Sequence, residues 1–539
     1  MSRPTAVEVE VVAFGAVTGT RSRTSLAVLG PTYSLAVEDL QRKYNESLHF
    51  TYSEPGARTC LTVVSKSSEF LADYYYRQER PGKVFVFVHG GGEMPGFPCS
   101  NGDFPTAAVL SLTSFWNSLT LNTITGIDLT RENLLPMLST VLSLAQNPAE
   151  KHVNVIVSLL RQYAWKTIFI VHDKISGNPQ DIFVQSYGPM MKQVGLLMLA
   201  APRNELGVPT FHEMRSNDDD SCSDTLAKFQ SVSRVMLFGG SEGIRKLMNM
   251  TDGSYVYITV DMWPEAPNQF WSSWYRPDIT DHTEVSAATE AFRSVLTISR
   301  YYDGDFLKTN RSMDLFREFR RRTNTMYNIT ADEFTPDPAP IIGNLIGSYN
   351  ALMIVGETIQ KAWEDGDDLT DGRGLRRRLL NRTISTEFDR VYIDSYGQRI
   401  PDFSVSSFSP GSLDRTVFLL YRGGSPFLEP LILRPVSWPG IWPVPNEPVC
   451  GYRGDKCGIS QLSNLGGLAG GVVTSLLLVM IAGCLLFVRY YLARIDCYWD
   501  FSQRRRQHRD RDHGKNVGNA KTNVTLLSCQ GKQPPCEHP

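Results

Sequence analysis

Two glycine-rich motifs have the composition of a serine hydrolase active site. The segment Gly239–Gly243 fits the G-x-S-x-G pattern around Ser241, and His89-Gly-Gly-Gly fits the oxyanion motif of lipases. Such a serine needs a histidine to take its proton and an acid to orient that histidine. Between Ser241 and residue 465 the only histidine is His282, 41 positions on. Because this leaves little room for the rest of a hydrolase fold, we interpret the first motif as a strand-to-helix turn and expect no catalytic residue, no metal site and no cofactor.

The segments around these motifs indicate an α/β fold with two lobes. Apolar runs of strand length occur at 165–171, 194–199, 234–238 and 255–261, and residues 152–163 have one apolar helical face. An earlier set has strand patterns at 7–15 and 84–88 and helix patterns at 33–45 and 131–144. Ligands of open α/β sheets bind beyond the carboxyl ends of the strands. We therefore expect a ligand in the cleft between two parallel-sheet lobes that close about a hinge.

One segment has the composition of a transmembrane helix. No charged residue occurs from 465 to 488. These residues would span about 36 Å as a helix, enough for a hydrocarbon core of about 30 Å. Ten Lys and Arg against five Asp and Glu follow in residues 489–539. Since positive flanks stay in the cytoplasm, we predict a single-pass type I protein of the plasma membrane with its N-terminus outside.

Sequons and cysteines are compatible with an exported domain before residue 465. The predicted glycosylation sites are Asn45, Asn249, Asn310, Asn328 and Asn381. Five cysteines precede the helix, which suits a few disulfides with one cysteine left over. Cys450 and Cys457 bracket six residues, and we predict that they close a small loop. The N-terminus lacks an apolar signal segment, because Glu8 and Glu10 interrupt it, so we expect the true start to lie upstream.

These patterns give the predicted domain boundaries. A bilobed ligand-binding domain covers 1–435, with lobe 1 at about 7–150 plus 290–370 and lobe 2 at about 151–289 plus 371–435. A proline-rich juxtamembrane stalk follows at 436–464, then the membrane helix at 465–488 and a basic tail at 489–539. Gly466, Gly467, Gly470 and Gly471 form overlapping small-xxx-small pairs at the outer end of the helix, which favour close approach of two helices. Net charge is −2, so nothing in the overall composition indicates nucleic acid.

Several segments together resemble the extracellular domain of natriuretic-peptide receptors and related receptor guanylyl cyclases. They are 164–173, 235–248, 253–263, 371–384, 390–405 and the juxtamembrane 448–457. The resemblance covers residues 7–488, is weakest before 150, and implies a type I periplasmic-binding-protein-like fold that dimerises. It also implies a disulfide between Cys60 and Cys99. The family's anion site is not assigned here, because His89–Cys99 departs from the family pattern.

The length of the tail favours one branch of that family. Its 51 residues contain no kinase-type glycine loop, catalytic loop or metal-binding carboxylate pair. We therefore expect a short-tailed, clearance-type receptor that binds a peptide hormone, pairs as a homodimer or heterodimer, and contacts membrane lipid or a G protein through its tail. The alternatives are a C-terminally truncated receptor cyclase, or a regulatory partner of one, and a small-molecule receptor of the amino-acid type. Ligand-contact residues stay unassigned.

Overall fold

The computed structural model describes most of the region before residue 457 and a short helix after it. The described residues are 6–17, 25–55, 59–79, 81–89, 106–123, 137–144, 149–173, 182–214, 218–239, 252–261, 290, 292–302, 309–330, 339–409, 415–424, 429–452, 456, 475, 477–490 and 492. They belong to two compact units, Met1–Lys456 and Cys457–Pro539.

The first unit alternates strands and helices along most of its length. Its strands are β1 (Val7–Phe14), β2 (Leu48–Ser53), β3 (Val84–His89), β4 (Leu119–Asn122), β5 (Val141–Ser143), β6 (Phe169–Asp173), β7 (Thr210–Met214), β8 (Val235–Gly239), β9 (Val256–Asp261), β10 (Val295–Arg300), β11 (Arg382–Ser385), β12 (Arg390–Ile393), β13 (Arg399–Ile400), β14 (Phe403–Phe408), β15 (Arg415–Arg422) and β16 (Glu429–Ile432). Its helices are α1 (Leu26–Tyr44), α2 (Cys60–Gln78), α3 (Thr106–Phe115), α4 (Ala149–Gln162), α5 (Ile182–Ala200), α6 (Asp219–Val232), α7 (Asn310–Tyr327), α8 (Ala339–Asp365) and α9 (Gly372–Arg377).

Lobe 1 is built on a parallel five-stranded sheet of order β2-β1-β3-β4-β5. Because β1 is a central strand, its alternating residues enter two cores: Val9 and Val11 lie in the cluster that includes α1, α7 and α8, and Val12 and Phe14 pack with α2 and α3. The sequence alternation also puts Glu10 inside, where it is 4% exposed. Its carboxylate is compensated by Lys83 at 2.7 Å and by hydrogen bonds donated by Ser53 and Tyr74.

Lobe 2 contains an eight-stranded sheet of order β16-β15-β14-β10-β9-β8-β6-β7. Strands β6 to β10 are parallel, and β14 to β16 extend the sheet in antiparallel fashion. The expected α/β class with parallel sheets is confirmed. The near-continuous apolar strands follow from burial on both faces, one beside α4 and α5 and the other beside α6.

The chain crosses between the lobes three times, and the crossings differ from the expected boundaries. They follow β5, β10 and β13, so β10 belongs to lobe 2 although we expected residue 290 to begin a lobe 1 segment. Conversely, α9 and the small sheet β11-β12-β13 pack into the core of lobe 1 through residues such as Leu375 and Ile393, whereas the sequence placed 371–435 in lobe 2.

Two local predictions were wrong. The apolar run 194–199 lies at the end of α5, and the strand next to β6 is instead the more polar β7. A short apolar run has no period of its own, so it fits a buried helix as well as a strand. A helix was expected over 131–144, but residues 141–143 of this range form the strand β5.

The proline-rich segment packs on lobe 2 over 436–452. The indole of Trp165 donates to the carbonyl of Val444 at 2.8 Å, and that of Trp438 donates to the carbonyl of Gly253 at 2.9 Å. The Oδ1 of Asn446 accepts the backbone N–H groups of Lys166 and Thr167 at 2.5 and 3.1 Å. The expected stalk is therefore fastened to the lobe along this part of its length.

Described by itself, the second unit has helical backbone over 477–490. Its apolar side chains are exposed, with Leu478 at 67% and Leu486 at 69%. Within the described part of the chain, no helix is both long and apolar enough to cross a membrane. The first ten residues of the predicted span, with the four glycines of the helix-dimer face, lie outside the described residues.

Candidate ligand-binding cleft

The carboxyl ends of the lobe 1 strands carry polar, uncharged side chains. His89 ends β3 and Asn122 ends β4, and His89 Nδ1 lies 3.4 Å from Asn122 Oδ1. Burial lowers the pKa of His89 to about 4, although the hydrogen bond with Asn122 acts in the opposite direction. Near neutral pH the imidazole is therefore uncharged. Its ring lies 5.0 Å from that of Phe14, the last residue of β1.

A second polar pair lies directly after β4. The hydroxyl of Tyr33, on α1, lies 2.6 Å from Thr123 Oγ1. Burial raises the pKa of Tyr33 to about 12, against the opposing effect of hydrogen bonds with Thr123 and Ser348. The hydrogen-bonding groups at this edge of lobe 1 are therefore neutral and buried.

The corresponding edge of lobe 2 is charged. Asp261 ends β9, and its Oδ2 accepts Nη1 of Arg415 at 2.7 Å. Both side chains are mostly buried, at 10% and 16% exposure. In a buried pair of this kind each partner compensates the charge of the other. A ligand at this edge would meet a fixed dipole, in contrast to the uncharged edge of lobe 1.

Both edges adjoin the crossings between the lobes. The backbone N–H of Ser143, at the end of β5, donates to the carbonyl of Gly397 at 2.9 Å. Arg300, at the end of β10, pairs with Asp389 at 2.5 Å, and the side chains are 1% and 9% exposed. Asp389 lies between β11 and β12, so this ion pair joins the lobe 2 sheet to lobe 1.

Further charged groups surround the hinge. Arg399 also donates to Asp389, and burial, followed by the neighbouring Arg300, lowers the pKa of Arg399 to about 10. Asp402 accepts Arg422 at 2.9 Å and the backbone N–H of Gly423 at 2.7 Å. The hinge therefore contains several charge-assisted hydrogen bonds, of which the Arg300–Asp389 pair joins one lobe to the other.

Sequence reasoning left these cleft residues unassigned, although a signal was present. Strands β3 and β4 read VFVFVH and LTLN, so each ends its apolar run on a polar side chain. Polar residues in that position of a parallel strand lie at the ligand edge of the sheet. The hinge pair had no such signal, because Arg300 and Asp389 are far apart in the sequence.

The residues that the sequence did single out are distributed over the surface. The acceptors Asn45, Asn310, Asn328 and Asn381 are all exposed, while Asn249 lies outside the described residues. Cys450 is disulfide-bonded, and its pairing with Cys457 remains a prediction because Cys457 is not described. Cys60 begins α2, whereas Cys99, Ser241 and His282 are outside the described residues. Of the hydrolase motifs, only His89, at the cleft, and Gly239, the last residue of β8, are described.

Comparison with known proteins identifies part of the chain as a ligand-binding region. Residues 129–411 match the family described as "Receptor family ligand binding region". The matched segment runs from just before β5 to just after β14 and includes all three crossings.

Two curated relatives are guanylate cyclases in name. The chain is 25% identical over 231 residues to "Receptor-type guanylate cyclase gcy-28" of Caenorhabditis elegans. The aligned segment covers 42% of this chain and 17% of the relative. It is 22% identical over 385 residues to "Guanylate cyclase 32E" of Drosophila melanogaster, which covers 65% of this chain and 30% of the relative. The matches thus span less than a third of these relatives. The expected resemblance of the chain to receptor guanylyl cyclases is confirmed. The family match covers more than half of the chain, so the chain belongs to the family of receptor ligand-binding regions.

Proposed function

We propose that this protein is a cell-surface receptor that binds a peptide hormone between its two lobes and closes about the hinge. The observation that carries the proposal is the juxtaposition at the hinge: the polar carboxyl ends of both sheets adjoin the buried Arg300–Asp389 pair, which joins the lobes. A ligand that contacts both edges would favour one angle between the lobes and so shift the population of conformations.

Binding of labelled natriuretic-type peptides to cells that express the full chain behind a cleavable signal peptide tests this proposal. We expect saturable binding that falls by at least about tenfold in Asp261→Asn, because the variant leaves Arg415 without its charge partner at the cleft edge. The matched control is Asp224→Asn, which removes an exposed carboxylate paired with Lys228 on α6. Displacement of the label by free amino acids would favour the small-molecule alternative instead.

Membrane topology belongs to the same proposal. We propose that residues 465–488 cross the plasma membrane once, with 1–464 outside and 489–539 in the cytoplasm, on the basis of their composition and the basic tail. The tail also carries a sequon, Asn523-Val-Thr. Glycans on the four exposed acceptors and none on Asn523 would support this orientation. Protease protection of an epitope at the C-terminus in intact cells would support it independently.

Signalling is proposed to pass through partners. A second copy or a related receptor would pair with the ectodomain, helped by Gly466, Gly467, Gly470 and Gly471, and the basic tail would contact lipid or a G protein. We also propose that residues 489–539 supply no cyclase chemistry. Cyclic GMP production on peptide addition in cells expressing only this chain would contradict that part and favour the receptor cyclase alternative.

A further inference from the structure

A cavity of about 570 Å³ lies away from the cleft, at the amino ends of β3 and β4 in lobe 1. Its volume falls in the range of small-molecule sites. One wall comes from the C-terminal ends of α2 and α3 with the residues after them, and the opposite wall comes from the segment before and within α9. Its main lining residues are Tyr75, Tyr76, Glu79, Trp116, Thr370 and Leu375.

Three aromatic rings meet at a right angle in this cavity. Tyr75 and Trp116 are stacked, with centroids 4.2 Å apart and an interplanar angle of 8°. Tyr76 stands at 77° to Tyr75 and at 85° to Trp116. The indole N–H of Trp116 donates to the Tyr76 hydroxyl at 3.3 Å, which holds the rings in this arrangement. We call Tyr75, Tyr76 and Trp116 the aromatic corner. Although three large apolar rings are normally buried in a core, Tyr76 is 62% exposed.

The lining of the cavity contains one carboxylate, Glu79, and one ammonium, Lys83. Glu79 is exposed at the mouth of the cavity, where the Tyr75 hydroxyl donates to its Oε1 at 3.4 Å. Among the described residues no ion pair with Glu79 occurs. Lys83, also in the lining, is already engaged by Glu8 at 3.1 Å and Glu10 at 2.7 Å. Its ammonium lies 5.2 Å from the centroid of the Phe85 ring, so a cation already lies against an aromatic ring beside the cavity.

We propose that this cavity binds a small alkylated ammonium compound, whose cation lies against the faces of Tyr76 and Trp116 while Glu79 supplies the counter-charge. Aromatic faces attract ammonium groups through their quadrupole, and alkylated ammonium loses little hydration on leaving water. A neutral ligand of the same shape would leave the Glu79 carboxylate without this partner.

Titration of the full chain in maltoside detergent with choline, followed by isothermal calorimetry, tests the proposal. We expect one site per chain and at least about tenfold weaker binding of 3,3-dimethylbutanol, the neutral isostere of choline. Glu79→Gln should weaken choline binding by about fivefold, since the amide keeps the hydrogen bond from Tyr75 but loses the charge. Glu69→Gln, which changes an exposed carboxylate earlier on the same helix, should have no effect.

The aromatic contribution needs a second variant and a check of folding. Trp116→Leu should weaken choline binding by about tenfold or more with the unfolding transition retained. Equal binding of choline and its neutral isostere would overturn the proposal, as would binding that is indifferent to Glu79→Gln. If choline does not bind and Trp116→Leu instead dissociates a dimer, the aromatic corner is a contact between copies and the proposal is wrong.

Discussion

Arg300 Nη2 lies 2.5 Å from Asp389 Oδ2, and this pair connects the last residue of a lobe 2 strand to a turn in lobe 1. Asp389 also accepts Arg399, so one carboxylate serves two buried guanidinium groups. Any change in the angle between the lobes must keep this arrangement or rebuild it.

Replacing the shared carboxylate should be strongly destabilising. In Asp389→Asn two buried arginines lose one shared carboxylate partner, and we expect the free energy of unfolding to fall by about 3–5 kcal/mol. Urea unfolding at neutral pH measures this. The control is Glu387→Gln, because Glu387 is an exposed partner of Arg311 at 3.2 Å, and its loss should cost less than about 1 kcal/mol. Similar losses in the two variants would show that the hinge pair contributes no more than a surface pair.

Acid should weaken the fold through His89. Its folded pKa of about 4 lies below the ordinary value of 6.5, so between these values the unfolded chain binds the proton and the folded chain does not. Stability is therefore complete above pH 6.5 and is lost as pH falls towards 4, by about 2 kcal/mol between pH 7.5 and 5. Urea unfolding of His89→Gln at both pH values should show a loss of stability that is smaller by this amount. The control is His49→Gln at an exposed position, which should keep the full pH dependence of stability.

The docked proline-rich segment depends on two glycines that approach closely. A Cβ on Gly253 would lie 2.4 Å from the backbone nitrogen of Gly440, and Gly253 has φ +77°. We expect Gly253→Ala to release the segment and expose 436–452 to limited proteolysis. Gly82→Ala is the matched control, because Gly82 has φ +81° and nothing within 4 Å of its added Cβ. It should cost only the backbone strain, about 1 kcal/mol, without new cleavage.

The glycan at Asn381 can be removed with or without backbone strain. Asn381 has φ +54°, a conformation that asparagine tolerates better than glutamine. Asn381→Gln and Thr383→Ala should both abolish one glycosidase-sensitive mobility shift, but only Asn381→Gln should add a strain cost of about 1 kcal/mol. Thr383 is exposed, so its loss should be nearly neutral for stability. An unchanged mobility in both variants would mean that this sequon is not used.

Sequence patterns predicted the elements that have either one apolar face or a continuous apolar run. Helix α4 was placed within a few residues, as were β3, β8 and β9. Prediction failed where the pattern was ambiguous, as in the apolar end of α5, and where partners are remote in sequence. Asp389 and Arg300 are 89 positions apart, and Asn446 caps backbone groups 280 residues earlier. No local pattern encodes such pairs, because each residue alone looks like an ordinary charged or polar surface position.

The tight contact of α1 with α8 has a consequence for synthesis. A Cβ on Gly356 would meet Leu40 at 2.3 Å, so the two helices share one core although more than 300 residues separate these positions. At ordinary translation rates α1 and the lobe 1 strands wait some tens of seconds before α8 leaves the ribosome. Throughout that interval the part of α1 that packs against α8 is uncovered, and lobe 2 is being made in between. We therefore expect substitutions at this α1–α8 contact to lower the yield of folded protein before they change ligand binding.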